Sequence, residues 1–417
     1  MKSAFSTSSV LSICTKTQTL TSHKIILVLI TCTSVVLFLL CFDETNYKDT
    51  HNTDGIVHQT SIADEVSESE TWKRISVING TKNILVWKDR WGFRFELGKS
   101  AFLNSGCRVT NCLITANNSL MPHNKFDAFV IHSPTQHSPW ILEDRRPDQM
   151  FVMFTTEPPI HMPNLDKFEN FFNWTMTYRT GSTFQLKYGE IVPLETAPST
   201  DKEAGLMRQS VIHSGLNPAE GKTKLAIWLV SNCNARSNRQ GYVKILKKHV
   251  DVDIFSKGGK CEGQDVCPRH LNSDVCYDMI ENTYKFYLSF ENSICKEYVT
   301  EKFFEMMGRN IVPVVLGGAD YTAIAPPHSY INALDYTPKQ LAEYLMELDR
   351  NDTLYAEYFW WKPHYRIRNL YDTNRQAFCD FCEALHTSPI QTSIKKGLRK
   401  WYSNDANCRH NPKFDES

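Results

Sequence analysis

YKFYLSFENSICKEYVTEK, at residues 284–302, carries the strongest fold signal in this chain. It opens with an apolar run of strand length, and this run ends abruptly at Glu291 and Asn292. A short polar loop follows, and a helix is predicted to begin near Glu301 and Lys302. In an open parallel sheet, ligands bind outside the carboxyl ends of the strands, and helix N-termini attract anions. The segment therefore predicts a parallel α/β sheet with a site for a phosphate-bearing ligand such as a nucleotide.

Apolar runs of similar length recur on both sides of this segment. They are too short for helices and are bounded by polar or proline-containing turns, so they predict buried strands. The predicted strands lie at residues 83–87, 126–132, 150–156, 172–179, 225–230, 252–255 and 311–318. Helices are predicted at residues 241–249 and, after a capping-box pattern that begins at Thr337, through residue 350. Alternating strands and helices indicate parallel sheets with right-handed crossovers.

A linker rich in proline, serine, glycine and charge, at residues 194–221, divides these elements into two groups. The first α/β lobe is predicted over residues 76–210 and the second over residues 221–365. Residues 366–417 form a tail that carries a CxxC motif. The pattern predicts two Rossmann-like α/β lobes that face each other across a cleft. The formal net charge is zero, which gives no indication of nucleic-acid binding.

Residues 25–42 form an uncharged apolar run that is long enough to span a thin bilayer. Lysines precede the run and acidic residues follow it, so the positive-inside tendency predicts a cytoplasmic tail at residues 1–24. The run is predicted to be a transmembrane signal-anchor, followed by a polar lumenal stem at residues 43–75. A cleaved signal peptide is the alternative, but the leading segment is long for one and no small-x-small site follows Leu40. A buried core helix is a third interpretation, and the polar stretch after the run argues against it.

Cysteines and glycosylation sequons indicate an oxidising compartment. Ten of the thirteen cysteines follow the apolar run, and an even number suits structural disulfides. The CxxC motif at Cys379 and Cys382 could instead be redox-active or half of a zinc site, but no Cys–His quartet with zinc spacing accompanies it. Structural disulfides are the favoured interpretation, and their pairing stays open. The sequons after the run lie at Asn79, Asn117, Asn173 and Asn351.

Polar residues that follow predicted strands are the candidates for chemistry. Ser231 and Asn232 follow the strand at residues 225–230, and Arg239 begins the next helix. Helix capping is the structural alternative for the serine and asparagine side chains of this loop. Near Glu301 and Lys302, the alternative is a solvated first helical turn, although the helix dipole there favours an anion-binding function.

Glu157 is the candidate general base. It follows the predicted strand at residues 150–156 and precedes Pro158 and Pro159, which stiffen the backbone at that rim. A carboxylate held at the rim of a cleft can accept a proton from a reacting group. The structural alternative is a glutamate in a surface loop.

Two further patterns are rejected as sites. Asp251 and Asp253 spell DxD, but they lie at the start of a predicted strand rather than at its carboxyl end, which argues against a metal site. Residues 215–223 nearly match a P-loop but have one residue too many between the glycines, and they precede a strand instead of following one. No metal ligand is therefore predicted.

The sequence resembles the α1,3-fucosyltransferases in several long motifs. Residues 285–304, KFYLSFENSICKEYVTEKFF, followed by VPVVLG, resemble the donor-site signature of that family. The resemblance extends to KLAIWLVSNCNARSNR, FFNWTMTYRTGS and LDRNDTLYAEYFWWK, and it covers about residues 82–385. The SNCNAR segment, the cysteine-rich insertion and Cys295 are most similar to the invertebrate glycoprotein branch.

This resemblance implies a GT-B fold, with the acceptor at the first lobe, GDP-fucose at the second and inversion at the sugar carbon. It also implies a single-pass type II protein of the Golgi membrane with a lumenal catalytic domain. No tightly bound cofactor is implied, and stimulation by Mn²⁺ or Mg²⁺ and a homodimer stay open. By position, Glu157 matches the catalytic base and Arg239 matches an arginine that contacts the diphosphate. With the strand-end candidates included, the predicted donor-binding set is Ser231, Asn232, Arg239, Glu291, Asn292, Tyr298, Glu301 and Lys302.

The resemblance also bears on the disulfides and the acceptor. It implies that Cys107 and Cys112 pair with the region of Cys379 and Cys382, which would tie the tail to the first lobe. The family's usual RxDSD is RTGST at residues 179–183, so both acidic residues are missing in a loop of the acceptor lobe. The favoured acceptor is the core GlcNAc of glycoprotein N-glycans. The alternatives are antennal LacNAc or LacdiNAc, and a catalytically inactive lumenal glycan-binding homologue.

Overall fold

The computed structural model describes residues 80–87, 93–132, 145–162, 165–211, 214–215, 217–265, 267, 273–387 and 395–415, all within one compact unit. Across these residues, no helix combines the length and the apolar character that a membrane crossing requires. The predicted anchor at residues 25–42, the predicted stem and the sequon at Asn79 lie outside the described residues and stay predictions.

A six-stranded parallel sheet forms the first lobe. The strands of this part of the chain are β1 (Lys82–Trp87), β2 (Cys112–Thr115), β3 (Ala128–His132), β4 (Met150–Thr155), β5 (Trp174–Thr177), β6 (Phe184–Gln185) and β7 (Glu190–Pro193). The sheet has the order β2-β1-β3-β4-β5-β6 and leaves out β7. Every residue of β3 and β4 is buried, as is typical of central strands in a parallel sheet. The strands predicted here from apolar runs are confirmed.

A five-stranded parallel sheet forms the second lobe. Its strands are β8 (Lys224–Leu229), β9 (Val252–Phe255), β10 (Tyr284–Phe290), β11 (Val312–Leu316) and β12 (Ile331–Asn332). They lie in the order β12-β11-β10-β8-β9, and every residue of β10, the strand of the signature segment, is buried. Starting from β8, the chain adds β9 on one side and β10 on the other, so the strand order reverses between β8 and β10. Such a reversal opens a crevice at the carboxyl ends of the strands, where α/β proteins bind ligands.

Helices cover both sheets. They are α1 (Ala101–Asn104), α2 (Asp201–Val211), α3 (Arg239–Leu246), α4 (Ser273–Thr283), α5 (Glu301–Met307), α6 (Pro338–Arg350), α7 (Asp352–Ala356) and α8 (Leu370–Thr387). The predicted capping box of α6 is confirmed. Thr337 Oγ1 accepts from the backbone N–H of Gln340 at 3.3 Å, and Gln340 Oε1 accepts from the backbone N–H of Thr337 at 3.0 Å.

The predicted linker at residues 194–221 contains a helix that the sequence pattern does not reveal. Ala204 is the buried residue of α2, so the apolar face of this helix is too narrow to stand out as a periodic signal. Met207 packs partly buried against a cluster of the second lobe, and Arg208 lies 3.3 Å from Glu357. The linker therefore follows the surface of the second lobe. Next to it, β7 and β13 (Tyr365–Arg368) form an antiparallel ribbon.

Helix α8 belongs to the core of the first lobe. Phe378 is fully buried and packs in one cluster with residues of β1 and β4. Two disulfides fix the helix, Cys107–Cys379 and Cys112–Cys382. The pairing implied by the resemblance is thus confirmed, and both cysteines of the CxxC motif are structural.

The remaining cysteines after residue 42 are also paired. The further disulfides are Cys233–Cys261, Cys267–Cys276 and Cys295–Cys408. Among the described residues, Cys112, Cys382 and His386 form the grouping with metal-ligand spacing, but the two sulfur atoms are bonded to each other. The carboxylate of Asp253, from the DxD pattern, accepts from Lys224 Nζ and from the Tyr284 hydroxyl, each at 2.6 Å.

The described sequons differ in accessibility. Asn117 and Asn351 are exposed. Asn173 is 5% exposed, its Oδ1 accepts from the backbone N–H of Phe151 at 2.9 Å, and its Nδ2 is buried. A glycan attached to Nδ2 would have no room in this fold, so the prediction of glycosylation at Asn173 is wrong.

His328 should make the second lobe sensitive to acid. It stacks on Tyr358 with ring centroids 4.1 Å apart, and burial together with the charge of Arg208 lowers its pKa to about 4. The carboxylate of Glu357 lies 3.7 Å from its Nε2 but is also paired with Arg208 at 3.3 Å, so it does not hold the imidazole charged. In the unfolded chain, the imidazole titrates near its ordinary pKa of 6.5.

Because the folded-state pKa is the lower one, stability present above pH 6.5 is lost as the pH falls towards 4. The pKa difference corresponds to roughly 3 kcal/mol of unfolding free energy. We expect denaturation with urea to show this loss between pH 7 and pH 4, and we expect His328→Gln to show a smaller one. Equal losses of stability in the wild type and in His328→Gln would rule out His328 as the source.

Candidate active site

Arg239, the first residue of α3, bridges the crevice between β8 and β10. Its guanidinium donates to the backbone carbonyl of Phe290 at 2.6 Å, at the end of β10, and to that of Asn232 at 3.3 Å, in the loop after β8. The guanidinium carbon also lies 5.6 Å from the ring centroid of Trp228. Arg239 therefore ties together the two loops that flank the reversal of strand order.

Arg239 lies beneath the surface of this crevice. It is 2% exposed, and its Nε has no hydrogen-bond partner among the described residues. Burial lowers the pKa of the guanidinium, while the charge of Glu291 acts in the opposite direction. An arginine side chain keeps its proton in proteins, so Arg239 contributes a fixed positive charge under the crevice. Its predicted direct contact with a diphosphate stays a prediction.

Glu291 occupies the anion position predicted at the N-terminus of α5. Its carboxylate is fully buried and accepts from the backbone N–H of Thr300 at 2.8 Å and from Thr300 Oγ1 at 2.9 Å. A helix N-terminus stabilises negative charge, and here the end of β10 supplies it. The prediction that Glu291 contacts the donor is therefore wrong, because this side chain has no exposed surface. The N–H group of Thr300 is likewise not open to a phosphate.

Lys302 completes a charge cluster that consists of Glu291, Glu301 and Lys302. Lys302 Nζ lies 2.8 Å from Glu301 Oε1, 2.9 Å from Thr300 Oγ1 and 3.6 Å from Glu291 Oε2. The lysine side chain is 22% exposed, so the cluster reaches solvent at this edge. A neutral or absent lysine would leave two neighbouring carboxylates without their cation.

Burial and mutual attraction set the charges of this cluster. Burial raises the pKa of Glu291. Burial also acts to raise the pKa of Glu301, but Lys302 lowers it below its ordinary value. For Lys302, burial acts to lower the pKa, and the two carboxylates raise it above its ordinary value. The lysine therefore stays charged at neutral pH, as does Glu301.

The other predicted donor residues lie along the same edge of the sheet. Ser231 and Asn232 are exposed in the loop after β8, where Asn232 Oδ1 accepts from the backbone N–H of Asn234 at 3.0 Å. Asn292 is half-buried, and within the part of the chain that the structure describes its Oδ1 has no hydrogen-bond partner. Tyr298 is 2% exposed, and burial raises the pKa of its hydroxyl. The structure thus brings these side chains together with Arg239 and the charge cluster at the carboxyl ends of β8 and β10.

The signature loop, residues 291–300, is pressed against the end of β11. A Cβ on Gly318 would lie 2.7 Å from the carbonyl carbon and oxygen of Cys295, so a side chain at this position would collide with the backbone. This close approach explains the second glycine of VPVVLGG. On its other side the loop is joined to the C-terminal segment by the disulfide Cys295–Cys408.

Glu157 lies at the carboxyl end of β4 in the first lobe and is partly buried. Its backbone N–H donates to Thr155 Oγ1 at 3.1 Å, and its carbonyl accepts a hydrogen bond from the Tyr402 hydroxyl. A short turn follows, and His161 Nε2 lies 3.3 Å from Ser293 Oγ on the signature loop. The segment that carries Glu157 therefore contacts the second lobe directly.

Tyr188 connects Glu157 with the charge cluster. Its hydroxyl donates to the carbonyl of Thr156 at 2.8 Å, and its ring centroid lies 6.2 Å from that of Tyr298. Burial raises the pKa of Tyr188, and the negative charges of Glu301 and Glu157 add to this effect. Tyr188 therefore contacts the residue before Glu157 in the first lobe and Tyr298 of the signature loop in the second.

A cavity of about 650 Å³ opens between the lobes next to Tyr188. Val299 and Phe304 contribute apolar surface, while Glu297 and Asp320 contribute carboxylates. Its volume lies within the range of small-molecule sites in proteins. The cavity adjoins the predicted donor residues without including them, since its wall contains Val299 between Tyr298 and the start of α5.

The RTGST loop is docked on the signature loop. Arg179 is 3% exposed, and its Nε lies 3.4 Å from Glu297 Oε2. The backbone N–H of Thr180 donates to the same oxygen at 3.0 Å. Glu297 therefore brings a carboxylate to a loop that lacks acidic residues of its own, and the loop keeps a defined position beside the cavity.

Tyr188 and Tyr402 are the site residues that sequence reasoning missed. Each donates a hydrogen bond to a backbone carbonyl in the segment around Glu157, and neither belongs to a local pattern. Tyr402 is 245 positions away from its partner in the sequence. A signal for such contacts would have to come from paired changes in related sequences.

Two family models match the chain in its two lobes. The model described as "Glycosyltransferase family 10 (fucosyltransferase) C-term" matches residues 219–401. The model described as "Fucosyltransferase, N-terminal" matches residues 79–189. Together they include both sheets and the C-terminal helix.

Individual relatives are similar over most of the chain. Alpha-(1,3)-fucosyltransferase C of Drosophila melanogaster is 34% identical over 354 residues, which is 80% of this chain and 80% of that protein. Glycoprotein 3-alpha-L-fucosyltransferase A of the same species is 34% identical over 83% of this chain and 65% of its own length. A crystal structure of an alpha1,3-fucosyltransferase with GDP aligns with a TM-score of 0.46 at 19% identity, over 76% of this chain and 93% of the other.

Proposed function

Because this chain belongs to glycosyltransferase family 10, the fucosyltransferases, we propose that it transfers L-fucose from GDP-fucose in α1,3 linkage to GlcNAc of glycoprotein N-glycans. The core GlcNAc is the favoured acceptor. The names of two relatives at 34% identity support the linkage, and the name of the second supports a protein-linked acceptor.

The observation that carries this proposal is that Tyr188 joins the two predicted parts of the site. Its hydroxyl donates to the carbonyl of Thr156, next to Glu157, and its ring lies beside Tyr298 of the signature loop. A base on one side and a lysine with a hydroxyl-binding carboxylate on the other are the groups that an inverting sugar transfer requires. The cavity next to Tyr188 gives room for ligands between the lobes. The RTGST loop keeps a defined position beside this cavity, because Glu297 of the signature loop binds Thr180 and Arg179.

In the proposed reaction, Glu157 accepts the proton of an acceptor hydroxyl while that oxygen forms a bond to the anomeric carbon of fucose. The bond from this carbon to the diphosphate breaks on the opposite face, and its electron pair leaves with GDP, so the configuration is inverted. The transition state has oxocarbenium character, as in glycoside hydrolysis. Lys302 and the fixed charge of Arg239 stabilise the negative charge that develops on the diphosphate. Glu301 accepts hydrogen bonds from fucose or ribose hydroxyls.

We also propose that the protein is anchored in the Golgi membrane with its catalytic lobes in the lumen. The apolar run at residues 25–42 and the lysines before it support a type II anchor. The disulfides that join all ten cysteines after this run support an oxidising compartment.

The function is tested by incubating the purified chain with GDP-fucose and a panel of glycans. The panel contains N-glycans with an unmodified core and glycans that end in LacNAc or LacdiNAc. We expect mass spectrometry to show the addition of one deoxyhexose, and fragmentation to place it on the core GlcNAc. Fucose on antennal GlcNAc alone would replace the core acceptor. Transfer from a different nucleotide sugar, with none from GDP-fucose, would contradict the proposed donor.

A further inference from the structure

We propose that residues 395–415, here called the C-terminal strap, brace the two lobes against each other, and that Tyr402 in this strap is a positioning residue for Glu157. The inference rests on the proposed function, because it concerns the geometry of the proposed base. It extends that function by assigning a role to a segment that carries none of the predicted site residues.

The first part of the strap is attached to the first lobe. The backbone N–H of Lys395 donates to the carbonyl of Phe172 at 2.8 Å, and Arg399 forms an ion pair with Asp166 at 2.5 Å. Further along, the carbonyl of Trp401 accepts from the guanidinium of Arg179 at 3.2 Å. These contacts hold the strap beside β5 and the RTGST loop.

The second part of the strap is attached to the signature loop. The backbone N–H of Lys296 donates to the carbonyl of Ala406 at 2.7 Å, and the backbone N–H of Arg409 donates to the carbonyl of Ile294 at 2.8 Å. The disulfide Cys295–Cys408 lies between these two hydrogen bonds. The strap thus pairs with the signature loop like a short strand and is covalently locked to it.

Beyond this pairing, the strap continues along the second lobe. Asn238 Nδ2 donates to the carbonyl of Pro412 at 2.9 Å, and the ring of Phe414 lies 4.9 Å from that of Tyr242. A single segment of about twenty residues therefore spans from β5 of the first lobe to α3 of the second. Its path passes both Glu157 and the signature loop.

Tyr402 is the point at which the strap contacts Glu157. It lies in a π-helical turn, Lys400–Asn404, a rare conformation that is frequent at functional sites. The side chain is fully buried, and its hydroxyl donates to the carbonyl of Glu157. Burial raises the pKa of this hydroxyl, so it remains a donor across the working pH range.

Both backbone groups of Glu157 are consequently held, the N–H by Thr155 and the carbonyl by Tyr402. These two hydrogen bonds restrain the backbone from which the carboxylate extends. A displacement of about 1 Å in a reacting group can reduce a rate by two orders of magnitude. The strap fixes the base in relation to the loop that carries the predicted donor residues, and this relation is what an in-line displacement depends on.

The test removes the Tyr402 hydroxyl from the full-length chain. We expect Tyr402→Phe to lower kcat about tenfold, while KM for GDP-fucose and Kd for GDP stay within about twofold of wild type. The matched control is Tyr355→Phe, which removes a buried hydroxyl that donates to the carbonyl of Lys285 at 2.7 Å in the second lobe. This control should keep the wild-type kcat.

A second measurement separates positioning from general damage to the fold. In a Glu157→Asp background, the shorter carboxylate is already misplaced, so loss of the Tyr402 hydroxyl should lower kcat by much less than tenfold. A full tenfold loss in both backgrounds would show that Tyr402 does not act through Glu157.

A variant that loosens the strap without touching Tyr402 completes the test. Replacing both Cys295 and Cys408 with serine should lower kcat several-fold, whereas the same change at Cys267 and Cys276 should not. The inference is overturned, while the proposed function stands, if wild type transfers fucose and two variants keep the full kcat. These variants are Tyr402→Phe and the one with serine at both Cys295 and Cys408. A wild-type chain without fucose transfer would overturn both.

Discussion

Replacing Glu157 with glutamine is expected to abolish fucose transfer and to leave GDP-fucose binding intact. Glutamine has nearly the same shape as glutamate but cannot take a proton from an acceptor hydroxyl. The hydrogen bonds to Thr155 Oγ1 and from Tyr402 involve the backbone of residue 157, so they persist in the variant. Loss of a general base typically lowers a rate on the order of 10²–10⁴-fold. Rates of GDP release give kcat, and calorimetry gives Kd for the donor.

The matched control for this variant is Glu195→Gln, at an exposed glutamate in the loop after β7. It makes the same chemical change away from the site and should keep the wild-type kcat. Wild-type turnover in Glu157→Gln would remove Glu157 from its proposed role. If the variant loses both donor binding and turnover, the carboxylate has a structural role instead.

Replacing Lys302 with alanine should weaken GDP binding and also destabilise the second lobe. The positive charge on Nζ is the proposed partner of the diphosphate, and a charge-assisted hydrogen bond is typically worth about 1.5–3 kcal/mol, or roughly 10- to 150-fold in Kd. The same charge compensates the buried carboxylate of Glu291, 3.6 Å away, and that of Glu301. Removal of one partner from a buried pair typically costs about 3–5 kcal/mol. Calorimetry with GDP and thermal denaturation measure the two effects separately.

The stability loss in Lys302→Ala should increase with pH. Without the lysine, the pKa of Glu291 rises further above its ordinary value of 4.5, because burial is no longer opposed. A group whose folded-state pKa is raised stabilises the fold below its unfolded pKa and loses this contribution as the pH rises. The variant should therefore be closer to wild type at pH 5 than at pH 7.5. Adding Glu291→Gln should restore stability at pH 7.5 but not GDP affinity.

Lys339→Ala is the control for these experiments, since Lys339 is also the second residue of a helix but is exposed. It should change neither GDP affinity nor stability by a measurable amount. Unchanged GDP affinity in Lys302→Ala would argue against a diphosphate position next to the charge cluster.

The strands of both sheets could be predicted from the sequence because their signal is local. Each central strand is a short apolar run, and burial on both faces makes that run continuous, as in β10. Helix α6 was predictable for a similar reason, since its capping box and its buried leucines lie within one segment. Helix α2 was not, because most of its surface is exposed and its apolar stripe is narrow.

The residues of the site were easier to predict than their roles. Polar side chains after a strand mark the carboxyl edge of a parallel sheet, so the positions of Asn292 and Lys302 follow from the chain itself. Whether such a side chain faces a ligand or the interior depends on the path of the following loop. Glu291 turns inward to Thr300, and Arg239 turns towards the carbonyl of Phe290. Neither orientation has a signature within the neighbouring sequence.

The position of α8 in the first lobe sets the order in which this protein can be completed during synthesis. Residues of β1 to β6 leave the ribosome first, but their core lacks Phe378 until the chain has grown to its C-terminal part. Cys107 and Cys112 form disulfides with cysteines that follow them by 272 and 270 positions. Several cysteines of the second lobe are translated between them. The second sheet, which is built from one continuous stretch, can close earlier. The lobe that is translated first therefore cannot be completed until the second sheet has been made, and its early thiols need protection from wrong partners until then.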